Sequence, residues 1–372
     1  MMRGASILAL GLAVVLAGCS TGSPRPVPAE LPPNVDLIGV RQAWSLKLAP
    51  IGFPLQVHVQ GPQVLLATDD GTVVTLDAPS GREVGRANVG APLAAGVGGD
   101  GHVSAVVTRS NEVVALQGGH ELWRHRLTTQ SYTAPLVAGG RVFVLGADRS
   151  LVALDGRSGT RLWRLQRPAE PLVLRQAGVL LPVGNTLLAG MAGRLVAVNP
   201  DDGSIRWEAP VAAARGTNDV ERLVDLVGGV SRQGRMVCAR AFHTAVGCVD
   251  AQDGSVRWTR PANGATGVDG DGARVYGAEA DGRVMAWRAD TGERAWSTDR
   301  LRWRQLTGTL VLGRSVVVGD STGLVHLLSR EDGSALDRFA TDGSGIATTP
   351  VVAGNTLVVV TRAGAVYGYV PQ

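Results

Sequence analysis

Cysteine, histidine and charged residues are scarce in this chain of 372 residues, and each scarcity argues against a class of function. No two of the three cysteines have Cys-x-x-Cys spacing, so a thiol redox motif is not expected. The six histidines are scattered without metal-ligand spacing. Charged residues make up 18% of the chain and form no dense basic run, which argues against nucleic-acid binding despite a net charge of +4. We therefore expect no catalytic residue, no metal, no cofactor and no nucleic-acid partner.

Long hydrophobic runs are also few. The apolar run near the N terminus, Ile7–Leu16, is shorter than the ~20 residues that a permanent membrane-spanning helix needs. With Arg3 before it and small residues before Cys19, it predicts an export signal over residues 1–18. The four residues that end at Cys19 resemble the bacterial lipobox, which implies a cysteine that carries lipid chains and holds the protein on a membrane. A secretory peptide or a membrane span with an incidental cysteine is the alternative.

The residues after Cys19 predict where the folded part lies. Ser20 resembles the signals of lipoproteins sorted to the outer membrane, which implies a Gram-negative envelope and a protein that faces the periplasm. The following stretch is rich in proline and small residues, which favours an extended chain. We expect a lipidated flexible tether over residues 19–37 and a folded unit over residues 38–372.

Glycine, by contrast, is abundant, and a short alternating strand recurs eight times after a turn. The copies are DGTVVTLD from Asp70, SNEVVALQ from Ser110, RSLVALD from Arg149, AGRLVAVN from Ala192, HTAVGCVD from His243, DGRVMAWR from Asp281, STGLVHLL from Ser321 and RAGAVYGYV from Arg362. Each copy alternates in polarity with period two, as a strand with an apolar face does. With the short strands upstream of each copy, the pattern predicts four strands per repeat.

A turn glycine and, four residues later, a tryptophan follow most copies. The pairs are Gly119 with Trp123, Gly159 with Trp163, Gly203 with Trp207, Gly254 with Trp258 and Gly292 with Trp296. At Gly81 and Gly333 the tryptophan position holds Gly85 and Asp337 instead. Glycine supplies the positive φ angles that such turns need. We expect the large rings to pack between adjacent repeats.

The two ends of the chain decide how the repeats are arranged. The last copy, Arg362–Val370, lacks its tryptophan strand, whereas Val40–Leu48 is a tryptophan strand with nothing before it. Pairing the two completes an eighth unit and leaves no orphan sheet edge. The sequence therefore predicts an all-β fold: an eight-bladed β-propeller of four-stranded antiparallel blades, closed by the N-terminal strand joining the C-terminal blade.

The glycine-to-tryptophan unit resembles the quinoprotein-like repeat, and the chain from Cys19 onward resembles the BamB family of propeller lipoproteins. The most particular stretches are Pro171–Gly178 and Ala214–Gly229. The resemblance implies a non-enzymatic scaffold of the outer-membrane β-barrel assembly (BAM) complex, which binds the POTRA region of BamA and assists the assembly and insertion of β-barrel proteins. It also implies unfolded outer-membrane proteins as clients, and blade edges could pair with their extended strands.

One repeat is longer than the others. The step from Gly203 to Gly254 is 51 residues, against 38 to 44 elsewhere, and the surplus falls in Ala212–Gly229. Asn218 with Glu221 three residues later is a helix-capping pattern, and Leu223, Leu226 and Val227 would follow on one face of that helix. From spacing alone, a contact surface on the rim and a tolerated insertion are equally good interpretations.

The family resemblance implies which residues bind the partner. A leucine-x-leucine-arginine segment and an acidic pair are central to BamA docking in the family, and the first maps to Leu172, Leu174 and Arg175. The acidic part maps to Asp225, with Val227 in the place of the second acid. Arginine beside apolar anchors fits the composition of binding hot spots. The alternative is that both leucines are merely blade core.

Cys238 and Cys248 flank a turn almost symmetrically, so they form either a disulfide across one hairpin, which we favour, or two buried free thiols.

The main functional rival is a periplasmic quinone-cofactor dehydrogenase that shares the repeat; such enzymes carry an adjacent cysteine pair, which this chain lacks. A propeller lipoprotein with another envelope partner is the third interpretation.

Overall fold

The structure is a computed structural model that describes residues 26–168, 172–213 and 223–372. Over these ranges the chain forms 32 β-strands in eight four-stranded antiparallel sheets. Each sheet is one blade of a propeller, so the predicted all-β, eight-bladed architecture is confirmed. The expected export signal and Cys19 lie outside the described residues.

The first four blades follow one another along the chain, each built from four consecutive strands. Blade 1 contains β2 (His58–Gln60), β3 (Gln63–Ala67), β4 (Thr72–Asp77) and β5 (Glu83–Asn88); blade 2 contains β6 (Leu93–Gly99), β7 (Ser104–Thr108), β8 (Glu112–Gln117) and β9 (His120–Arg126); blade 3 contains β10 (Leu136–Ala138), β11 (Arg141–Leu145), β12 (Ser150–Asp155) and β13 (Arg161–Gln166); blade 4 contains β14 (Leu180–Val183), β15 (Thr186–Met191), β16 (Arg194–Val198) and β17 (Ile205–Pro210).

Blades 5 to 8 repeat this order, except that the last blade takes its fourth strand from the N terminus. Blade 5 contains β18 (Leu226–Gln233), β19 (Met236–Ala241), β20 (Ala245–Asp250) and β21 (Val256–Pro261); blade 6 contains β22 (Val268–Gly270), β23 (Arg274–Ala278), β24 (Val284–Arg288) and β25 (Arg294–Thr298); blade 7 contains β26 (Leu310–Leu312), β27 (Ser315–Gly319), β28 (Leu324–Ser329) and β29 (Ala335–Ala340); blade 8 contains β30 (Val351–Ala353), β31 (Thr356–Val360), β32 (Ala365–Pro371) and β1 (Val40–Lys47).

The ring closes as the two chain ends predict. Strand β1 pairs antiparallel with β32, so Trp44 lies opposite Gly368 and Ser45 lies opposite Tyr367. The eight sequence copies are the third strands of the eight blades. Closure therefore pairs the inner edge of β1, which would otherwise offer unpaired backbone groups to solvent.

The core consists of apolar layers between neighbouring blades. In β27, Val316 and Val318 pack toward Tyr276 of blade 6, whereas Val317 packs toward Val359 of blade 8. All five residues are fully buried. The central strands are apolar on both faces because each face is covered by another blade.

A tryptophan seals six of the blade junctions in the described chain. The indole N–H of Trp123 donates to the carbonyl of Gly156 in the next blade at 2.9 Å, and the ring lies over Gly159. Gly159 has φ +69°, and a Cβ there would lie 2.6 Å from the ring. We call each such ring and the glycine beneath it a tryptophan wedge. The wedges are Trp44 with Gly81, Trp123 with Gly159, Trp163 with Gly203, Trp207 with Gly254, Trp258 with Gly292 and Trp296 with Gly333.

The described part of the expected tether, residues 26–37, lies against blade 7. The backbone N–H of Ala29 donates to the carbonyl of Arg302, and that of Leu37 donates to the carbonyl of Leu336 at 2.7 Å. Between them, the Asn34 amide donates to the carboxylate of Asp337 at 2.7 Å. This stretch is therefore bound along the propeller, a contact that its proline-rich composition did not indicate.

None of the described residues forms a helix long and apolar enough to cross a membrane.

Candidate partner-binding site

The residues expected to bind a partner lie in two consecutive connections between blades. Leu172, Leu174 and Arg175 belong to the connection from β13 of blade 3 to β14 of blade 4. Asp225 ends the connection from blade 4 to blade 5, directly before β18. Residues 169–171 and 214–222 of these connections lie outside the described residues.

Backbone contacts join the two connections. Gly178 and Val227 form an isolated antiparallel bridge, and the N–H of Gly228 donates to the carbonyl of Ala177 at 2.6 Å. The N–H of Gly178 also donates to the hydroxyl of Thr133 at 2.8 Å. The end of the first connection is therefore fixed to blade 5 and to the start of blade 3.

The other end of the first connection is held by an ion-pair cluster. The guanidinium of Arg167, just after β13, donates two hydrogen bonds to the carboxylate of Glu208 in blade 4. Arg194 reaches the same carboxylate at 3.3 Å. Paired, bidentate arginine contacts of this kind give geometric definition, so the connection leaves blade 3 in a set direction.

Asp225 acts as the internal link of this surface. Its carboxylate lies 3.5 Å from the guanidinium of Arg149 and accepts from the N–H of Leu174 at 3.4 Å. Its carbonyl accepts from the N–H of Phe242 in blade 5 at 3.0 Å. The Arg149 side chain is only 7% exposed, so a buried charge faces Asp225. Because a buried unpaired charge is costly, the Asp225 carboxylate stabilises Arg149. The same carboxylate positions Leu174 through the hydrogen bond from its N–H.

A cavity of about 60 Å³ lies beneath this link. Arg149 and Gln176 line it, and within the described chain Arg149 Nε and Gln176 Oε1 have no hydrogen-bond partner. The volume suffices for an ordered water, which needs about 10–15 Å³ and two or more polar partners. The inner side of this site is therefore polar and has room for an ordered water.

The outer side carries the expected contact residues. Leu172 is 39% exposed and Arg175 is exposed, whereas Leu174 is half-buried. Neither leucine belongs to the buried core, so the alternative that both are blade core is wrong. The four residues therefore divide into an outward pair, Leu172 and Arg175, and an internal pair, Leu174 and Asp225.

The structure corrects the helix that was expected in the long repeat. Leu226 and Val227 lie in β18, the first strand of blade 5, and not on a helix. Asn218 and Glu221, its expected cap, lie outside the described residues. Val227 is 2% exposed and its backbone pairs with Gly178, so its side chain is not presented to a partner.

Sequence reasoning missed Arg149, which is central to the site. It lies in the turn before β12 with φ +58°, an uncommon angle for a residue other than glycine. Its position as the first residue of a repeat copy gave no sign of a partner in the connection to blade 5. Arg149 is recognised only from the structure, as the buried charge that faces Asp225.

Blade 5 also holds the two cysteines of the folded part. Cys238 in β19 lies directly opposite Cys248 in β20, and the structure joins them in a disulfide with their Cα atoms 4.0 Å apart. Both residues are fully buried. The bond therefore crosslinks the two central strands of the blade that carries Asp225 at its start.

Comparison with known proteins places the chain in a family. The family model described as outer membrane protein assembly factor BamB matches residues 69–298. The outer membrane protein assembly factor BamB of Burkholderia pseudomallei is 37% identical over 364 residues, which cover 96% of each chain. That of Bordetella pertussis is 35% identical and covers 97% of this chain and 95% of its own.

Solved structures agree with this assignment. BamB from Moraxella catarrhalis superposes with a TM-score of 0.81 at 25% identity, covering 89% of this chain and 99% of that one. Quinohemoprotein alcohol dehydrogenase from Comamonas testosteroni shares the fold, with a TM-score of 0.69 at 15% identity over 90% of this chain and 77% of that one. On the family match and the near full-length identities, the chain belongs to the BamB family of outer membrane protein assembly factors.

Proposed function

We propose that this protein is a non-enzymatic scaffold of the BAM complex, which binds the POTRA region of BamA and so assists the assembly and insertion of β-barrel proteins into the outer membrane. The names of its relatives support a role in outer-membrane protein assembly. The observation that carries the proposal is the link through Asp225, which joins two connections and leaves Leu172 and Arg175 facing outward.

The proposed docking surface consists of Leu172 and Arg175, held from behind by Leu174 and Asp225. Leu172 presents an apolar side chain and Arg175 presents a guanidinium. Arginine is one of the residue types enriched in binding hot spots. Because the connection is bound at both ends, little chain entropy is lost when a partner contacts it. Asp225 contributes by positioning Leu174 and neutralising Arg149, and its own charge faces inward.

We further propose that the protein is anchored in the inner leaflet of the outer membrane and faces the periplasm. Lipid chains on Cys19 would supply the anchor, since more than one acyl chain gives stable membrane attachment. Mass spectrometry of the protein from membranes tests this part directly. An N-terminal peptide that begins at a lipid-modified Cys19 is expected, and an unmodified N terminus at any other residue contradicts the proposal.

Binding to the isolated POTRA region of BamA tests the docking surface. Arg175→Glu should weaken the affinity at least tenfold, since hot-spot substitutions cost about 2 kcal/mol or more. Arg157→Glu is the matched control, because Arg157 is an exposed arginine in the β12–β13 turn of blade 3 and receives the same change of charge. Equal affinities for Arg175→Glu and the unchanged protein would refute the proposed surface.

The non-enzymatic part of the proposal has its own measurement. Purified protein would be titrated with pyrroloquinoline quinone and Ca²⁺ and assayed for alcohol-dependent dye reduction. We expect neither saturable quinone binding nor turnover. Turnover that depends on added quinone would favour the dehydrogenase instead.

A further inference from the structure

The junction between blades 1 and 2 lacks a tryptophan wedge. Within blade 1, Gly85 in β5 pairs with Thr75 in β4. Trp123 in β9 pairs with Ala115 in β8 at the same position of blade 2. Gly85 therefore occupies the wedge position without a ring. A Cβ built there would meet nothing closer than 3.6 Å, so the backbone and the space around it accept a side chain.

The facing turn of blade 2 is also short. Gln117 pairs directly with His120, so Gly118 and Gly119 are the whole turn between β8 and β9. In blade 3 the corresponding strands end at Asp155 and begin again at Arg161. The missing ring and the short turn remove atoms from the same place.

These two differences leave an open cleft of about 430 Å³ between blades 1 and 2. Its inner wall is formed by Leu65, Val73 and Ala87 of blade 1 and by Val103 and Leu116 of blade 2. Polar side chains, among them Gln60, Gln63 and His102, surround the opening. The cleft thus combines an apolar wall with a largely polar surround, and its volume lies in the usual range of binding pockets, about 300–1,000 Å³.

The fold itself indicates what the cleft can hold. At six junctions the equivalent space is filled by an indole ring that packs on the next blade, and at five of them a hydrogen bond from the ring N–H is present. Strand β5 is also the outer strand of its blade, with only β4 beside it. The free edge of such a strand can pair with an extended segment of another chain, and exposed Val84 adds apolar surface along it.

We propose that the cleft between blades 1 and 2 binds an aromatic side chain on an extended segment of another polypeptide, in the place where the chain's own tryptophans lie at the other junctions. The segment runs along β5, and its ring enters the space above Gly85. This site is separate from the BamA docking surface proposed on blades 3 to 5, so each can fail without the other.

Peptide binding to the full-length protein tests the proposal. The probe is a fluorescein-labelled ten-residue peptide of alternating serine and threonine with one central tryptophan, and its partner probe has leucine in that position. We expect the tryptophan peptide to bind at least tenfold more tightly than the leucine peptide. Equal affinities, or no binding of the tryptophan peptide at millimolar concentration, would overturn the proposal.

Two substitutions at one position then locate the binding. Gly85→Trp fills the cleft with the ring used at six other junctions and should weaken binding of the tryptophan peptide at least tenfold. Gly85→Ala leaves the cleft open and should change the affinity by less than twofold. If Gly85→Trp binds the peptide as tightly as the unchanged protein, the site lies elsewhere. POTRA binding should be the same for all three proteins.

Photo-crosslinking of the unchanged protein gives a measurement that does not depend on a variant folding correctly. The central tryptophan is replaced by benzoylphenylalanine, and the crosslinked residues are identified by mass spectrometry. Crosslinks to Val73, Ala87 or Leu116 support the proposal. Crosslinks confined to other blades contradict it.

Discussion

Within the described residues, two blade junctions lack the tryptophan wedge, and their surroundings differ. At the junction of blades 7 and 8, Asp337 stands in the wedge position and is capped by Asn34 of the N-terminal segment. The apolar cleft that remains there has a volume of about 230 Å³. At the junction of blades 1 and 2, the described atoms nearest to a Cβ built on Gly85 belong to Thr75 of the same blade, at 3.6 Å, and the cleft measures about 430 Å³.

The difference follows from how the ring closes. In blade 8 the third and fourth strands come from opposite ends of the chain, so that blade has no turn glycine for a ring to cover. A tryptophan at Asp337 would therefore have no turn glycine of blade 8 to pack on. The N-terminal segment lies over this position instead, through Asn34. In blade 2 the turn is present as Gly118 and Gly119. The open cleft at Gly85 is therefore not a consequence of closure, which makes it a candidate site.

The largest effect is expected when a regular junction is opened. Trp258 is 5% exposed and donates to the carbonyl of Ala289 at 2.8 Å. Trp258→Ala removes the buried ring and leaves that carbonyl without its donor, so the free energy of unfolding should fall by about 3–5 kcal/mol. Urea unfolding followed by circular dichroism measures the change.

The open junction supplies the control for this substitution. Gly85→Ala alters the same strand position where no ring is present, and it should change the free energy of unfolding by less than about 0.5 kcal/mol. If Trp258→Ala were as mild as Gly85→Ala, the wedges would not be what stabilises the junctions.

A smaller effect is expected when a wedge is disturbed from beneath. A Cβ at Gly159 would lie 2.6 Å from the ring of Trp123, and the residue has φ +69°. Gly159→Ala therefore combines backbone strain with overpacking, and it should lower the free energy of unfolding by about 2–4 kcal/mol. Gly184 has φ +57° with nothing within 4 Å, so Gly184→Ala should show the strain alone, about 1–2 kcal/mol. If chemical denaturation gave the same loss of unfolding free energy for Gly159→Ala and Gly184→Ala, the Trp123 ring would move aside at no energetic cost.

The regular junctions were predictable from sequence, and the irregular ones were not. Turn glycines and tryptophans at fixed spacing predict the wedges because both partners repeat with every blade. Asn34 and Asp337 are partners at opposite ends of the chain, and neither carries a pattern. The volume at Gly85 was equally hidden, since a missing tryptophan in a sequence does not show whether another group fills its place.

The docking surface was predictable only in part, for a similar reason. The resemblance to the family pointed to Leu172 and Asp225, but the link to Arg149 depends on which turns meet across blades 3 to 5. The helix expected around Leu226 and Val227 was wrong because that segment is the first strand of blade 5. The spacing of apolar residues in this segment also fits a helix, but pairing with β19 makes it a strand.

The capped junction can be tested by uncoupling its cap. The Asn34 amide donates to Asp337 at 2.7 Å and to the carbonyl of Arg338 at 3.1 Å. Asn34→Ala should lower the free energy of unfolding by about 1 kcal/mol, the usual net worth of such a bond. A double-mutant cycle with Asp337→Ala measures the pair itself, and additive losses would show that the cap does not stabilise the junction.

The smallest effect concerns the other end of the same N-terminal segment. Arg304 donates to the carbonyl of Ala29 at 2.9 Å and also to the buried carboxylate of Asp320, which accepts a hydrogen bond from His326 at 3.0 Å. Burial alone would raise the pKa of Asp320, but the hydrogen bonds from His326 and Arg304 outweigh it and hold that pKa well below its usual range. For His326, burial lowers the pKa more than the neighbouring carboxylate raises it.

Both shifts give stability the same dependence on pH. A histidine whose pKa is lowered by folding takes up its proton first in the unfolded chain, so stability is lost as pH falls below about 6.5. The lowered pKa of Asp320 adds a second loss as pH falls below about 4. His326→Gln should reduce the first loss and leave the part that comes from His58, whose pKa is also lowered by burial, whereas His102→Gln, at an exposed position, should keep the loss. Unfolding at pH 7.5 and pH 5 separates the two variants, and an identical decline in both would show that the cluster beneath Ala29 does not sense pH.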